Sequence, residues 1–280
     1  MKKITSDWHI HTEFSCDQAC MTMEDLVNEQ AQNGITDFGV SDHIHTIIQE
    51  DDIRRSRKAY DEILEKYPSL KGRFHFGAEV SVMSEWEVEK INKGEYDEVP
   101  IYGLRQICPI VDARPTLAID DEFRQKYGIE YVVTGVHWPL YMRRDKKGAI
   151  SEYFRQYLYG AAHPQTDILA HFLWWNACEK EVPSNPFSDF SDISEQMRGE
   201  LECALKENDT AFELNLYGVV YAYPPAYIDE YLGWCKQMQD RGIVLAVGSD
   251  CHRAHILGAY EKAEILFDKY GIDVDKFWKL

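Results

Sequence analysis

Short apolar runs rich in β-branched and aromatic residues alternate along this chain with longer stretches whose apolar positions recur every three to four residues. That alternation calls for parallel strands joined by helical crossovers. Seven strands are expected, at 4–10, 37–40, 74–82, 131–136, 168–170, 211–216 and 243–247. Between them, Thr22 can cap a helix that ends before Gly34, and Tyr60, Ile63, Leu64 and Tyr67 form an apolar stripe that Pro68 stops. Ile150, Phe154, Leu158 and Ala161 repeat at helical spacing, as do Ile256, Tyr260, Ala263 and Phe267 near the C-terminus. The segments 93–113 and 183–189, rich in proline and poor in helical cues, read as an insertion or long loops.

Seven βα units suit a TIM-like α/β barrel, although an open doubly wound sheet has the same pattern. With 280 residues, 45% of them hydrophobic, one domain spanning 1–280 has enough apolar surface for a single large core. The chain has no run of 18 apolar residues, and Met1-Lys2-Lys3-Ile4 leads into strand-like sequence, so a cytoplasmic protein with no membrane partner is expected. Seven scattered cysteines without a CxxC pair indicate neither a disulfide framework nor a zinc ribbon. A net charge of -18 opposes contact with a phosphate backbone, which makes nucleic acid an unexpected partner.

The polar residues favour the barrel. In parallel α/β folds the chemistry collects at the C-terminal ends of the strands, where the loops converge. Six of the ten histidines fall at expected strand ends in five units: His9, His11, His43, His137, His171 and His252. Glu79 and Asp250 occupy strand ends as well. One such histidine alone would more often be a satisfied polar core residue; this many together would leave imidazoles without partners unless they served a common purpose. Imidazole and carboxylate without cysteine point to catalytic zinc, manganese or iron. His9 and His11, two apart on a strand, face the same space.

The motifs Asp7-Trp8-His9-Ile10-His11-Thr12, Ser41-Asp42-His43, Gly77-Ala78-Glu79, His137, His171 and Gly248-Ser249-Asp250-Cys251-His252 resemble the polymerase and histidinol phosphatase (PHP) superfamily. The resemblance runs over almost the whole chain and implies a distorted (β/α)7 barrel and a phosphoesterase. It implies one metal on His9, His11 and Asp250, a second on His137 and His171, and Glu79 bridging them. A third would use His43, His252 and the residue six after His11. The usual residue there is histidine, whereas this chain has Asp17, which either ligates a harder ion such as manganese or iron or serves as a turn residue in the loop 15–19. Two or three divalent ions are thus expected, with Glu79, Asp250 and His252 as the catalytic positions. The run Phe212-Glu213-Leu214-Asn215, followed by Gly218 and Tyr223-Pro224, leans toward the histidinol-phosphatase branch.

A zinc-type ion lowers the pKa of bound water from about 15.7 to about 7, on the order of 12 kcal/mol of hydroxide stabilisation, which suits a reaction as slow as phosphate-monoester hydrolysis. Three such ions would also make the mouth of an acidic protein locally cationic and able to receive a small phosphorylated substrate. Arg253, Arg143 and Arg144 are candidate phosphate clamps or surface residues. His45 and His255 are candidate proton donors or supporting residues, and Trp138, Trp174 and Trp175 either line a pocket or pack the barrel. Two other readings stand beside the phosphatase: an amidohydrolase-like metal-dependent deacylase, and a non-catalytic metal-binding domain. The pair Asp250 and His252, with His43, fits the phosphatase pattern better, and no bridging lysine stands at the end of the fourth strand.

Overall fold

The computed structural model describes residues 1–95, 114–140, 145–173, 187–254 and 259–280. Among the described residues nine strands form: β1 (Ser6–Asp7), β2 (Asp37–Val40), β3 (His43–Ile44), β4 (Phe74–Ser84), β5 (Pro115–Leu117), β6 (Tyr131–Gly135), β7 (Ile168–Leu169), β8 (Ala211–Asn215) and β9 (Leu245–Gly248). The expected seven make one parallel path, β1-β2-β4-β6-β7-β8-β9. Two short strands were not expected: β3 pairs in parallel with β4, and β5 runs antiparallel to its end. The first expected strand is also interrupted, with regular pairing only at Ser6–Asp7 and then a single bridge between Ile10 and Cys251.

The two ends of the path meet. Trp8 donates to the Val247 carbonyl at 2.9 Å, Asp250 to the His9 carbonyl at 2.7 Å and His11 to the Cys251 carbonyl at 2.9 Å, which nearly closes the sheet into a barrel. This is the distorted TIM-like architecture. Its centre is filled by Trp8, Tyr131, Val133, Ile168, Ala170, Ala211 and Ala246, with Trp278 packed against them. The Tyr131 ring lies where a Cβ at Gly39 or Gly77 would come within 2.2 and 2.4 Å, so those glycines are what let it cross the barrel. Trp278 donates to the Leu245 carbonyl, accepts from Trp8 Nε1 and meets the Trp8 ring edge-on at 4.9 Å. The end remote from the strands' C-termini is thereby stoppered with aromatic surface.

Helices α1 (Met23–Asn33), α2 (Glu50–Lys66), α3 (Glu85–Asn92), α4 (Asp121–Tyr127), α5 (Lys146–Ala162), α6 (Glu195–Glu207), α7 (Pro225–Asp240) and α8 (Ala259–Tyr270) cover the outside. Thr22 caps α1 through a reciprocal bond with Asp25, and Gly34 ends it in the left-handed conformation. Tyr60 and Ile63 are buried on α2, which stops at Lys66. On α5 the buried face is broader than expected: Tyr153, Gln156, Tyr157 and Gly160 join Ile150, Phe154 and Ala161, while Leu158 is only half-buried. Of the last stripe, Tyr260, Ala263 and Phe267 are buried, and Ile256 lies outside the described residues. So do most of the expected insertion at 93–113 and residues 183–186 of the second loop. Among the described residues no helix is long and apolar enough to cross a membrane, and Cys16, Cys20, Cys203, Cys235 and Cys251 are free thiols.

Candidate metal centre

Glu79 stands at the middle of β4, with no exposed surface, in register with His43 of β3 and Val133 of β6. Five imidazoles surround its carboxylate. Oε1 lies 3.0 Å from His137 Nε2 and 2.9 Å from His171 Nε2. Oε2 lies 3.1 Å from His9 Nε2, 3.3 Å from His11 Nε2 and 2.9 Å from His43 Nδ1. A Cβ at Gly135 would come within 2.4 Å of Oε1 and 2.5 Å of His137 Cε1, so the glycine at the end of β6 allows this approach.

The rest of the set joins from β1, β9 and the loop after β1. Asp250 Oδ1 is 3.7 Å from His9 Nε2 and 3.4 Å from His11 Nε2. Asp17 pairs with His252 and lies 3.3 Å from His43 Nε2. The nine residues expected to ligate therefore all meet at one mouth, Asp17 included. Three groups bring their ligand atoms within 4.8 Å of one another: His9, His11 and Asp250; His11, His43 and His252; and His43, Glu79 and His137. His171 reaches the set through Glu79.

Local hydrogen bonds fix these side chains. Ser15 Oγ bonds His11 Nδ1 at 3.2 Å and accepts from the His43 backbone. The Asp42 carboxylate accepts from Thr12 N at 2.6 Å, Thr12 Oγ1 at 2.8 Å and Ser56 Oγ at 2.6 Å, and so pins the turn after His11, while the Asp42 carbonyl accepts from Glu79 N at 3.1 Å. Asp7 likewise accepts from the backbone of His9 and Ser249, tying β1 to β9. Ser81 Oγ stands between His137 Nδ1, at 2.7 Å, and His45 Nδ1, at 2.6 Å. One hydroxyl has one proton, so at most one of the two rings accepts from Ser81 and at least one donates to it. Tyr157 donates to the His171 carbonyl at 3.1 Å and accepts from Leu173 N at 2.7 Å, clamping a turn in which His171 and Leu173 have φ of 21° and 60°.

The electrostatics ask for positive charge. Burial by itself pulls the His9 imidazole down, but Glu213, Glu79 and Asp250 outweigh it and hold its pKa well above the ordinary value. Burial also opposes protonation at His11, His43 and His252, and their carboxylate partners again raise them. Asp250 and Asp17 are held well below the usual carboxylate range despite burial, by the imidazoles around them. His137 is the exception: burial, helped by His171 and His43, lowers it to about 4 against the pull of Glu79.

Cations fit the same cradle. Among the described residues, Glu79 Oε2 and Asp17 Oδ1 are buried acceptors with no well-aligned hydrogen bond, a condition that a bound cation would relieve. The donor set is imidazole and carboxylate throughout, as a divalent hydrolytic centre requires.

Of the other candidates, Arg253 is exposed beside His252, and Arg143, Arg144, His255, Trp174 and Trp175 lie outside the described residues. Trp138 is buried, with its ring 5.2 Å from His45, and so packs behind the cluster. Three residues at the centre had no role assigned from the sequence: Ser81, Glu213 and Asn215. Each lies two or four positions from another inward residue of its strand, a period-two signal that was available.

The family model described as PHP domain matches residues 7–271. No curated protein sequence matches the chain. Among solved structures, the chain is similar to the histidinol phosphate phosphatase HISK of Lactococcus lactis subsp. lactis Il1403, complexed with zinc, L-histidinol and phosphate. Identity is 16%, coverage 99% of this chain and 95% of that one, and the TM-score 0.61. A weaker similarity is to A. niger ochratoxinase, at 12% identity, coverage of 96% and 67%, and a TM-score of 0.43.

Proposed function

Because the chain belongs to the PHP domain family, we propose that it is a metal-dependent phosphoesterase acting on a small phosphate monoester, with histidinol phosphate as the first substrate to try. The observation that carries this reading is Glu79, a fully buried carboxylate with five imidazole nitrogens at 2.9–3.3 Å and one oxygen lacking a well-aligned hydrogen bond among the described residues. A carboxylate so placed suits a ligand shared between cations better than a structural ion pair.

His9, His11 and Asp250 would hold one ion, His137 and His171 a second, with Glu79 shared, and Asp17, His43 and His252 a third. Ions there would supply water of lowered pKa and positive charge for the phosphoryl oxygens. The protein's own part is positioning. His252, Asp250 and His137 keep 32%, 16% and 15% of their side chains exposed, against 0–2% for His9, His11, Glu79 and His171. Substrate would therefore approach over His252, Asp250 and His137, and Arg253, exposed next to His252, is the candidate to receive a phosphate oxygen there.

The likeness to a phosphatase structure holding zinc, L-histidinol and phosphate supports trying that ester first. The test combines elemental analysis of protein purified without chelator or affinity metal with phosphate release from histidinol phosphate and a panel of small monoesters. Two or three bound ions, and turnover lost in His9→Ala and Glu79→Ala, are expected. Absence of bound metal together with no metal-restored turnover on any ester would refute the proposal, and turnover on amides alone would replace it with the deacylase reading.

A further inference from the structure

We propose that Glu213 and Asn215, neither of them an expected ligand, are positioning residues that set the geometry of three expected ligands just beyond the ends of three other strands. The inference rests on the metal-centre reading above. Both lie on β8, two apart and so on one face, and both are buried, at 1% and 2% exposure.

Glu213 Oε1 lies 2.6 Å from His9 Nδ1. That bond keeps the proton on Nδ1 and aims Nε2 at the cluster, 3.0 Å from His11 Nε2 and 3.1 Å from Glu79. Glu213 Oε2 accepts from the backbone N–H of His171, the ligand-bearing residue at the end of β7. Asn215 reaches the third strand. Its Oδ1 accepts from Gly218 N at 2.9 Å, which orients the amide so that Nδ2 donates to Asp250 Oδ2 at 3.2 Å and, more weakly, to Glu213 Oε2 at 3.4 Å.

The pair thus holds the imidazole ring of His9 just after β1, the backbone of His171 just after β7 and the carboxylate of Asp250 just after β9. Two of these, His171 and Asp250, have positive φ, 21° and 55°, a conformation that a non-glycine residue keeps only when its surroundings hold it. The fold makes room for the contact: a Cβ at Gly248, opposite Asn215 in register, would stand 1.9 Å from Glu213 Oε1 and 2.5 Å from His9 Cβ.

A buried polar pair serving stability alone would have the same burial, so the test separates ion binding from folding. Full-length Glu213→Gln and Asn215→Ala would be stripped of ions, melted in that state, and titrated with Mn²⁺ and Zn²⁺ against a competing chelator. Glutamine offers one acceptor oxygen where His9 and His171 each need one. We expect Glu213→Gln to weaken the tightest sites roughly 10- to 100-fold and Asn215→Ala to weaken them less, with stripped proteins that stay folded. The ion held by Asp17, His43 and His252 would be unaffected, since neither residue touches that group. Unchanged affinity in both variants overturns the proposal. So does a uniform loss of all ions that tracks an equal fall in the melting temperature of the stripped protein. If Glu213→Gln fails to fold, Asn215→Ala decides by the same criteria. Wild-type protein that takes up no ion is a different result: it overturns the metal-centre reading itself.

Discussion

Replacing Glu79 by glutamine removes one charge and almost no volume. The amide cannot swing clear, because the backbone of Gly135 and the His137 ring crowd one side while His9, His11 and His43 occupy the other. Its NH₂ must then face nitrogens that the carboxylate accepted from or shared a cation with. Hydrogen bonds to charged groups are worth about 1.5–3 kcal/mol each, so losing two such contacts costs ion binding about 3–6 kcal/mol. At about 1.4 kcal/mol per tenfold, affinity should fall by about 10² to 10⁴. Competition between the protein and a chelating dye, followed by ion counting after dialysis, measures it. The ion-free variant should also hold fewer protons near neutral pH, since Glu79 is among the groups that raise His9, His11 and His43. Affinity within tenfold of wild type would refute the assignment of Glu79 as the shared ligand.

Loading the stripped protein with Zn²⁺ or Mn²⁺ should release protons, because the carboxylates hold His9, His11, His43 and His252 above their ordinary pKa; affinity should therefore weaken as pH falls, and pH-stat titration with no proton release would contradict this. Asp17→His should shift the ion on His43 and His252 toward zinc over manganese, and Asp17→Ala should remove that ion and leave the others, both read by elemental analysis after competition. His75, remote from the metal cluster, is pulled down by burial but raised overall by Glu130 and Asp37 at 3.1 and 3.2 Å. Its contribution is full below the unfolded pKa and lost as pH rises through the raised folded one, so the destabilisation by His75→Gln in metal-loaded protein should be larger at pH 5.5 than at pH 9; the reverse trend in denaturant melts would refute the pairing. Trp278→Ala opens the aromatic stopper and should cost about 2–3 kcal/mol, less than a fully buried tryptophan because the ring is half-exposed, while ion content and turnover stay at wild type.

Much of this architecture was legible because burial on both faces of a parallel strand leaves a recognisable signature. Phe74 to Ser84 is buried at every position, and the recurrence of Phe74, Phe76, Ala78, Val80 and Val82 at every second position marks β4 without help from the fold. The capping of α1 by Thr22 and its end at Gly34 follow from local chemistry alone. What was not legible depended on partners distant in sequence. β3 and β5 are two and three residues long and exist only because β4 outruns its neighbours and offers them unpaired backbone. On α5, Tyr153 and Tyr157 read as half-polar, yet both are buried, since each phenol finds a backbone carbonyl near the site, His137 at 3.4 Å and His171 at 3.1 Å.

The same distinction divides the site. Histidine and aspartate at strand ends are rare enough that their recurrence announces a common centre, whereas Asp17 was placed there only by the resemblance to the PHP pattern. Glu213 and Asn215 announce nothing by composition, because a carboxylate and an amide two apart on a strand have many uses. Their role depends on which side of β8 faces inward and on which rings arrive from β1, β7 and β9. That is settled by register: Asn215 lies opposite Gly248, and the missing side chain at Gly248 is what admits Glu213 to His9. A residue suited to hold an ion can thus be read from its own chemistry. One that aims another ligand can be read only from the strand beside it, which is why Asn215→Ala and Glu213→Gln, tested against ion affinity, are the substitutions that separate aim from mere burial.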